Sequence, residues 1–278
     1  MKKILFATDF SKAATQDMNY VIELARKTGA EISILNAYFV PAVEFTGDMP
    51  RYTAMSADEK LHAERQLKDI IHLIANVKDD NGNYLTYKSI AELSDPVSAI
   101  SRHVQNEEFD IVVIGSTGID DPYRWYHSTA AELIKEISVP VLIVSELAMI
   151  YKLKHIVYAA ELVKGDAEAI KQLVTFASAM NSWVRIMHIE TTKSGEEINT
   201  FRALKKEVMQ VCDYANVSWS SVQNESVKSA IADLINTDSI DLLSLLKHPR
   251  PVVDSLFHKS LTNALIKNSP IPLLVMHG

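Results

Sequence analysis

The 278-residue chain has little of what most catalytic or membrane chemistry needs. It has one cysteine, Cys212, which excludes a disulfide framework and any cysteine-based metal cluster. Cys212 falls in a helical pattern beside Val208, Val211 and Ala215, the setting of a packed thiol. No apolar run approaches the roughly 18 residues that a membrane span requires. The Met1-Lys2-Lys3 start runs straight into an apolar strand and not into a signal peptide, so a cytoplasmic location is expected. The nine histidines show neither H-E-x-x-H nor Cys/His spacing, which argues against a metal site. There is no G-x-x-x-x-G-K-[ST] loop and no G-x-S-x-G elbow, so no catalytic set is visible and binding is better supported than turnover. Glycine is also scarce, at eight residues, and two of the eight fall in one short turn, Gly115-Ser116-Thr117-Gly118.

What the chain does contain is a repeat. Lys3-Ile4-Leu5-Phe6-Ala7-Thr8-Asp9 returns as His155-Ile156-Val157-Tyr158-Ala159-Ala160-Glu161, and three later apolar runs also recur in order: 31–37 with 183–189, 110–114 with 241–246, and 139–144 with 271–276. The spacing between copies is 152 residues at the openings (156 − 4) and 132 at the last runs (272 − 140). The first copy therefore holds about twenty extra residues, expected in 38–55, a stretch with two prolines and a glycine. In each copy five strand-like runs alternate with helical patterns. That alternation predicts an α/β fold of two tandem, doubly wound, Rossmann-like domains, 1–147 and 152–278, each a five-stranded, mainly parallel sheet with helices on both faces. Ser56 with Glu59 and Thr129 with Glu132 match capping boxes, and Pro96 after Asp95 suits a first helical residue. The connection 145–152 lacks a flexible Gly/Ser run, which suggests docked halves.

Charge divides unevenly. Residues 1–147 carry 14 basic and 22 acidic side chains, net −8; residues 148–278 carry 14 and 13, net +1, and the two sum to the −7 of the chain. An acidic half disfavours a nucleic-acid partner.

Doubly wound sheets bind ligands beyond the carboxyl ends of their strands, where the strand order reverses. Two turns of the first copy belong there: Thr8-Asp9-Phe10-Ser11, and Gly115 to Gly118, where missing side chains would let backbone N–H groups close round an anion. Ser128-Thr129 follows, at the start of a predicted helix 129–137 whose positive end favours phosphate. Blander roles exist for each. Asp9 could cap the first helix, Thr129 with Glu132 is a sufficient cap without ligand, and the two glycines could serve a tight turn alone.

Gly115-x2-Gly118-x9-Ser128-Thr129, the Ala7-Thr8-Asp9-Phe10-Ser11 opening and the Val139-Pro140-Val141 strand entry resemble the universal stress protein family, whose nucleotide-binding members carry G-x2-G-x9-G-[ST]. The resemblance covers nearly the whole chain as a tandem. It implies ATP or another adenine nucleotide as ligand. Thr8, Asp9 and Ala37 would lie at the adenine and ribose end, Ile114, Gly115 and Gly118 beneath ribose and phosphates, and Ser128, Thr129 and Ala130 on phosphate oxygens. Ser128 replaces the third glycine, and Asp120 and Asp121 would tolerate a polyphosphate only across a cation such as Mg. The family also implies that the last strands of the two copies meet across a pseudo-twofold axis as an intramolecular pseudo-dimer, with an unidentified protein partner and further homo-oligomers left open. In the second copy Leu246 and Pro249 stand where Gly115 and Gly118 stood, and Glu161 replaces Asp9, so that site reads as degenerate. Two other functions stay open: a non-nucleotide interaction module with Trp125 and Tyr126 in the cleft, and a slow ATPase or phosphotransferase.

Overall fold

The computed structural model describes residues 1–40, 49–116, 126–145, 148, 153–191, 195–237, 240–247 and 259–277. The chain gathers into two compact units. In the first, Met1–Gly115 with Ser128–Val139, the elements are β1 (Lys3–Ala7), α1 (Lys12–Thr28), β2 (Glu31–Tyr38), α2 (Met49–Ile74), β3 (Tyr87–Leu93), α3 (Pro96–Asn106), β4 (Ile111–Ser116) and α4 (Tyr126–Glu136). The strands run parallel in the order β3-β2-β1-β4.

The second unit, from Pro140 onward, holds β5 (Val141–Ser145), β6 (His155–Ala160), α5 (Asp166–Met180), β7 (Trp183–Glu190), α6 (Gly195–Val211), β8 (Val217–Gln223), α7 (Val227–Thr237), β9 (Leu242–Lys247), α8 (Lys259–Asn268) and β10 (Leu273–His277). Its order is β5-β10-β9-β6-β7-β8. Each half of the sequence supplies five strands, as the alternation predicts, and the fold is α/β with a mostly parallel arrangement. By packing, β5 belongs with the second unit. It pairs antiparallel with β10 (Ile143 opposite Leu273, Val141 opposite Val275), so the last strands of the two copies do meet.

Continuous apolar runs explain why these segments form inner strands: Ile4, Leu5 and Phe6 of β1 and Val112 and Val113 of β4 are fully buried, as parallel strands covered on both sides must be. The helices are amphipathic; α1 buries Ala14, Met18, Val21, Leu24 and Ala25 at helical spacing. It begins at Ser11, whose hydroxyl accepts from the N–H of Ala14 (3.2 Å), and ends at Gly29 with φ 68°. That left-handed C-cap is easy for glycine.

Hydrogen bonds repeat along with the sequence. Asp110 Oδ2 accepts the backbone N–H groups of Lys2 and Lys3 at 2.6 and 2.8 Å, and Asp241 Oδ2 accepts those of Lys154 and His155, both at 2.8 Å. Asn36 Nδ2 donates to the carbonyl of Thr8 (2.8 Å), and His188 Nδ1 bonds the carbonyl of Ala160 (3.0 Å). Phe10 and Leu162, at matching positions, both take positive φ, 62° and 61°.

Local boundaries differ from expectation in four places. α2 begins at Met49, with Pro50 in the first turn where proline is tolerated, so Ser56 lies inside the helix and caps nothing. α4 begins at Tyr126, which puts Thr129 inside it and removes the Thr129/Glu132 capping box. β3 starts at Tyr87 and not at 84, because Asp79 Oδ1 accepts from the N–H groups of Asn81 and Asn83 and Gly82 takes φ 87°, closing a short hairpin whose Lys78–Tyr84 bridge uses up Tyr84. The extra residues of the first copy are therefore shared between the connection before α2, a longer α2 (26 residues against 17 in α6) and this hairpin, and do not lie in 38–55 alone. The Pro96 start holds: the Asp95 carboxylate caps α3 by accepting the N–H of Ser98 at 2.9 Å. Cys212, expected to be packed, is only half-buried just past the end of α6, and burial still raises its thiol pKa.

Candidate functional site

The reversal of strand order in the first unit falls between β1 and β4, because the chain leaves β1 toward β2 on one side and β4 returns on the other. The register brings the predicted residues to one level: Ala7 is opposite both Leu35 and Ile114, so Thr8 follows beside Asn36 and Gly115, and Asp9 beside Ala37 and Ser116. Thr8 is buried and fastened twice, its N–H to Leu35 O at 3.0 Å and its carbonyl to Asn36. Two small side-chain turns follow. Thr8 Oγ1 accepts the N–H of Phe10 (3.1 Å), and Asp9 Oδ1 accepts the N–H of Ser11 (2.9 Å). The cap of α1 is thus Ser11 and not Asp9, which instead braces the turn. Phe10 pays for this tightness with positive φ, a conformation that costs a bulky side chain on the order of 1–3 kcal/mol.

Ile114 is buried and Ala130 is buried in α4. Ser128 and Thr129 lie in the first turn of α4, where backbone N–H groups lack helical partners. Gly118, with Asp120, Asp121 and Trp125, lies outside the described residues.

Gly115 shows something the sequence did not suggest. A Cβ built there would sit 2.3 Å from Asp17 Oδ2. Asp17, on the inner face of α1, is 2% exposed, and its carboxylate packs against the Gly115 backbone. Gly115 is therefore glycine for a packing reason, whatever its role toward a ligand. The signal was present as a lone acid within the apolar face formed by Ala14, Met18 and Val21.

The second unit carries different residues at the corresponding positions. With the 152-residue offset of the first strands (155 − 3), Phe6 corresponds to Tyr158, Ala14 to Asp166 and Asp17 to Ala169; with the 131-residue offset of β4 and β9 (242 − 111), Gly115 corresponds to Leu246. Tyr158 donates to Asp166 Oδ1 at 2.5 Å, and Asp166 Oδ2 accepts the N–H of Val163 at 2.9 Å, where the first unit has the buried apolar pair of positions Phe6 and Ala14. Burial, then the Asp166 charge, pushes the Tyr158 phenol well above its usual range. Glu161, the counterpart of Asp9, is also buried. The acid–glycine pair of one unit has become an alanine–leucine pair in the other. Pro249, the counterpart of Gly118, lies outside the described residues.

A separate hollow of about 390 Å³ lies between α1 and α2, lined by Phe10, Ser11, Met18, Gln66, Asp69 and Leu73 among others. It shares the Phe10-Ser11 turn but none of Thr8, Asp9, Ala37 or Gly115, so it is not the crevice at the strand ends.

Residues 1–145 match the model of the universal stress protein family. The chain belongs to the universal stress protein family. No curated protein matches it. Among solved structures it is similar to a universal stress protein from Archaeoglobus fulgidus DSM 4304 (15% identity, covering 99% of this chain and 98% of that one, TM-score 0.71). It is also similar to a putative universal stress protein from Pseudomonas aeruginosa UCBPP-PA14 (12%, 100% and 93%, TM-score 0.62). At these identities the likeness establishes the fold. A third match, the cytoplasmic domain of a prokaryotic cation chloride cotransporter (10%, 99% and 94%, TM-score 0.54), shows the same fold in a protein of another description. The family model stops at residue 145; the second half of this universal stress protein is tied to the first by the repeated register and hydrogen bonds described above. Among the described residues no helix is long and apolar enough to cross a membrane.

Proposed function

We propose that this universal stress protein binds ATP or a related adenine nucleotide in its first domain, residues 1–147, and that the second domain, 152–278, is a built-in partner with a degenerate site, in a cytoplasmic regulatory role. The pairing of β5 with β10 supports a pseudo-twofold relation between the two domains. The observation that carries the nucleotide assignment is the gathering of Thr8 and Gly115, with Asp9 and Ala37 following, at the reversal of strand order, set against the buried Tyr158–Asp166 bond and the bulky Leu246 at the corresponding positions of the second unit. The described residues fit such a ligand in part. On this reading a purine and ribose would lie against the braced Asp9 turn and the small Ala37, and the first turn of α4 would offer N–H groups to phosphate oxygens. Asp17 works the other way at Gly115, since a carboxylate there repels phosphate. The phosphates would accordingly lie over Gly118, Ser128, Thr129 and Ala130, and a cation such as Mg would offset the acidic side chains Asp120 and Asp121.

Titrating labelled ATP against the wild type and Gly118→Glu tests the assignment: saturable binding lost in the variant is expected. Equal binding by both, or none by either, removes it. The Asp17 carboxylate favours one second reading, an interaction module of the same fold that takes no nucleotide; purified protein free of adenine absorbance and unmoved by nucleotide in thermal melts would select it.

A further inference from the structure

The two units end in different outer strands. β3, at the outer end of its order, carries two charges, and both are tied down: Lys88 pairs with Glu107 at 2.7 Å, and Glu92 pairs with Arg102 at 2.7 Å and His103 at 2.8 Å. β8, at the outer end of the other order, reads Val217-Ser218-Trp219-Ser220-Ser221-Val222-Gln223, with no charge and no proline. Charges, prolines and bulges are the usual means of stopping an edge strand from pairing, and β8 uses none of them. Ser218, Ser221, Val222 and Gln223 are exposed.

The ladder shows which groups point outward. Val184 N–H bonds Asn216 O (2.8 Å) and Asn224 N–H bonds Glu190 O (3.1 Å), so the even-numbered residues of β8 turn their backbone groups toward β7. Val217, Trp219, Ser221 and Gln223 therefore turn theirs away.

We propose that β8 is a homodimerisation edge, pairing antiparallel with β8 of a second copy about a twofold through Ser220. In that register Val217 faces Gln223 and Trp219 faces Ser221, so every outward N–H and C=O of the strand meets an outward partner. Ser218 faces Val222, and Ser220 faces itself. The sequence is self-complementary there: beyond the strand Glu225 faces Ala215 and Asp213 faces Val227, so no like charges oppose each other. The half that carries β8 has a net charge of +1 against −8 for the other, so a second copy meets little repulsion on this side.

Sedimentation equilibrium from micromolar to near-millimolar protein reads the outcome. The wild type is expected to dimerise reversibly. Ser218→Lys with Val222→Lys sets like charges opposite at both exposed pairs and is expected to give a monomer; Ser218→Glu with Val222→Lys sets opposite charges there and is expected to keep the dimer. Thermal melts confirm that both variants are folded. A wild type that stays monomeric, a double-lysine variant that still dimerises, or a Glu/Lys variant that dissociates as fully as the double-lysine one would each overturn the proposal. None of these outcomes depends on nucleotide binding.

Discussion

Gly115→Ala is the most informative single change, because the structure gives both its cost and its cure. The new methyl would sit 2.3 Å from Asp17 Oδ2, more than 1 Å inside ordinary contact. Asp17 is 2% exposed on α1 and cannot swing into water without moving the helix. Overpacking of this kind costs about 1–3 kcal/mol. At roughly 2–4 °C per kcal/mol for a chain of this class, the melting temperature should fall by about 2–12 °C. Gly115 does not have positive φ, so alanine suits its backbone. In an Asp17→Ala background the same substitution should thus be neutral, or stabilising by about 0.4–1 kcal/mol through the unfolded chain. Asp17→Ala alone should cost about 1–3 kcal/mol by stranding the groups that bond the carboxylate. Urea unfolding of the wild type, both single variants and the double variant closes the cycle, and a coupling of at least about 1 kcal/mol favouring the double variant is expected. At the corresponding positions the second unit has a buried alanine, Ala169, and a buried larger residue, Leu246. An equal loss from Gly115→Ala with and without Asp17 would refute the packing account.

Three further outcomes follow from the geometry. Asp95→Ala removes the α3 cap and should cost about 1 kcal/mol in urea unfolding. The Ser98 N–H holds the Asp95 carboxyl below its ordinary value of 3.8, so the cap's contribution is present above that value and lost as pH falls through the lower folded one; wild type and variant should converge in acid. Asp110→Ala and Asp241→Ala each release two backbone N–H groups at equivalent places and should lower stability by similar amounts, on the order of 1 kcal/mol; a loss at one position only, seen by calorimetry, would break the equivalence of the repeats. Leu162→Val puts a β-branched side chain at φ 61° and should destabilise by about 1–2 kcal/mol, whereas Leu162→Asn should melt within a few degrees of the wild type.

Much was legible in the residues themselves. Apolar runs bounded by polar ones are a local property, so all ten strands are legible in the sequence, and the repeated opening marks two copies. Asp95-Pro96 marked a helix start correctly because a cap and a proline act within one turn. The Ser56 and Thr129 capping boxes failed for the converse reason: helices of this kind extend as far as packing supports them, and α2 and α4 begin several residues upstream of those motifs.

What the sequence by itself determined is the alternation, the repeat and the family-like turns, all set by side-chain periodicity and backbone preference over short distances. Tertiary structure alone decided three other things. The antiparallel register of β5 on β10 is one, since strand pairing depends on which edge is available. Asp17 claims the space beside Gly115, and in the other unit the buried acid is instead Asp166, bonded to Tyr158, since a buried acid is located by its distant neighbours. The outward row of β8 is the third, because which backbone groups face solvent is a matter of register with β7 and leaves no trace in composition.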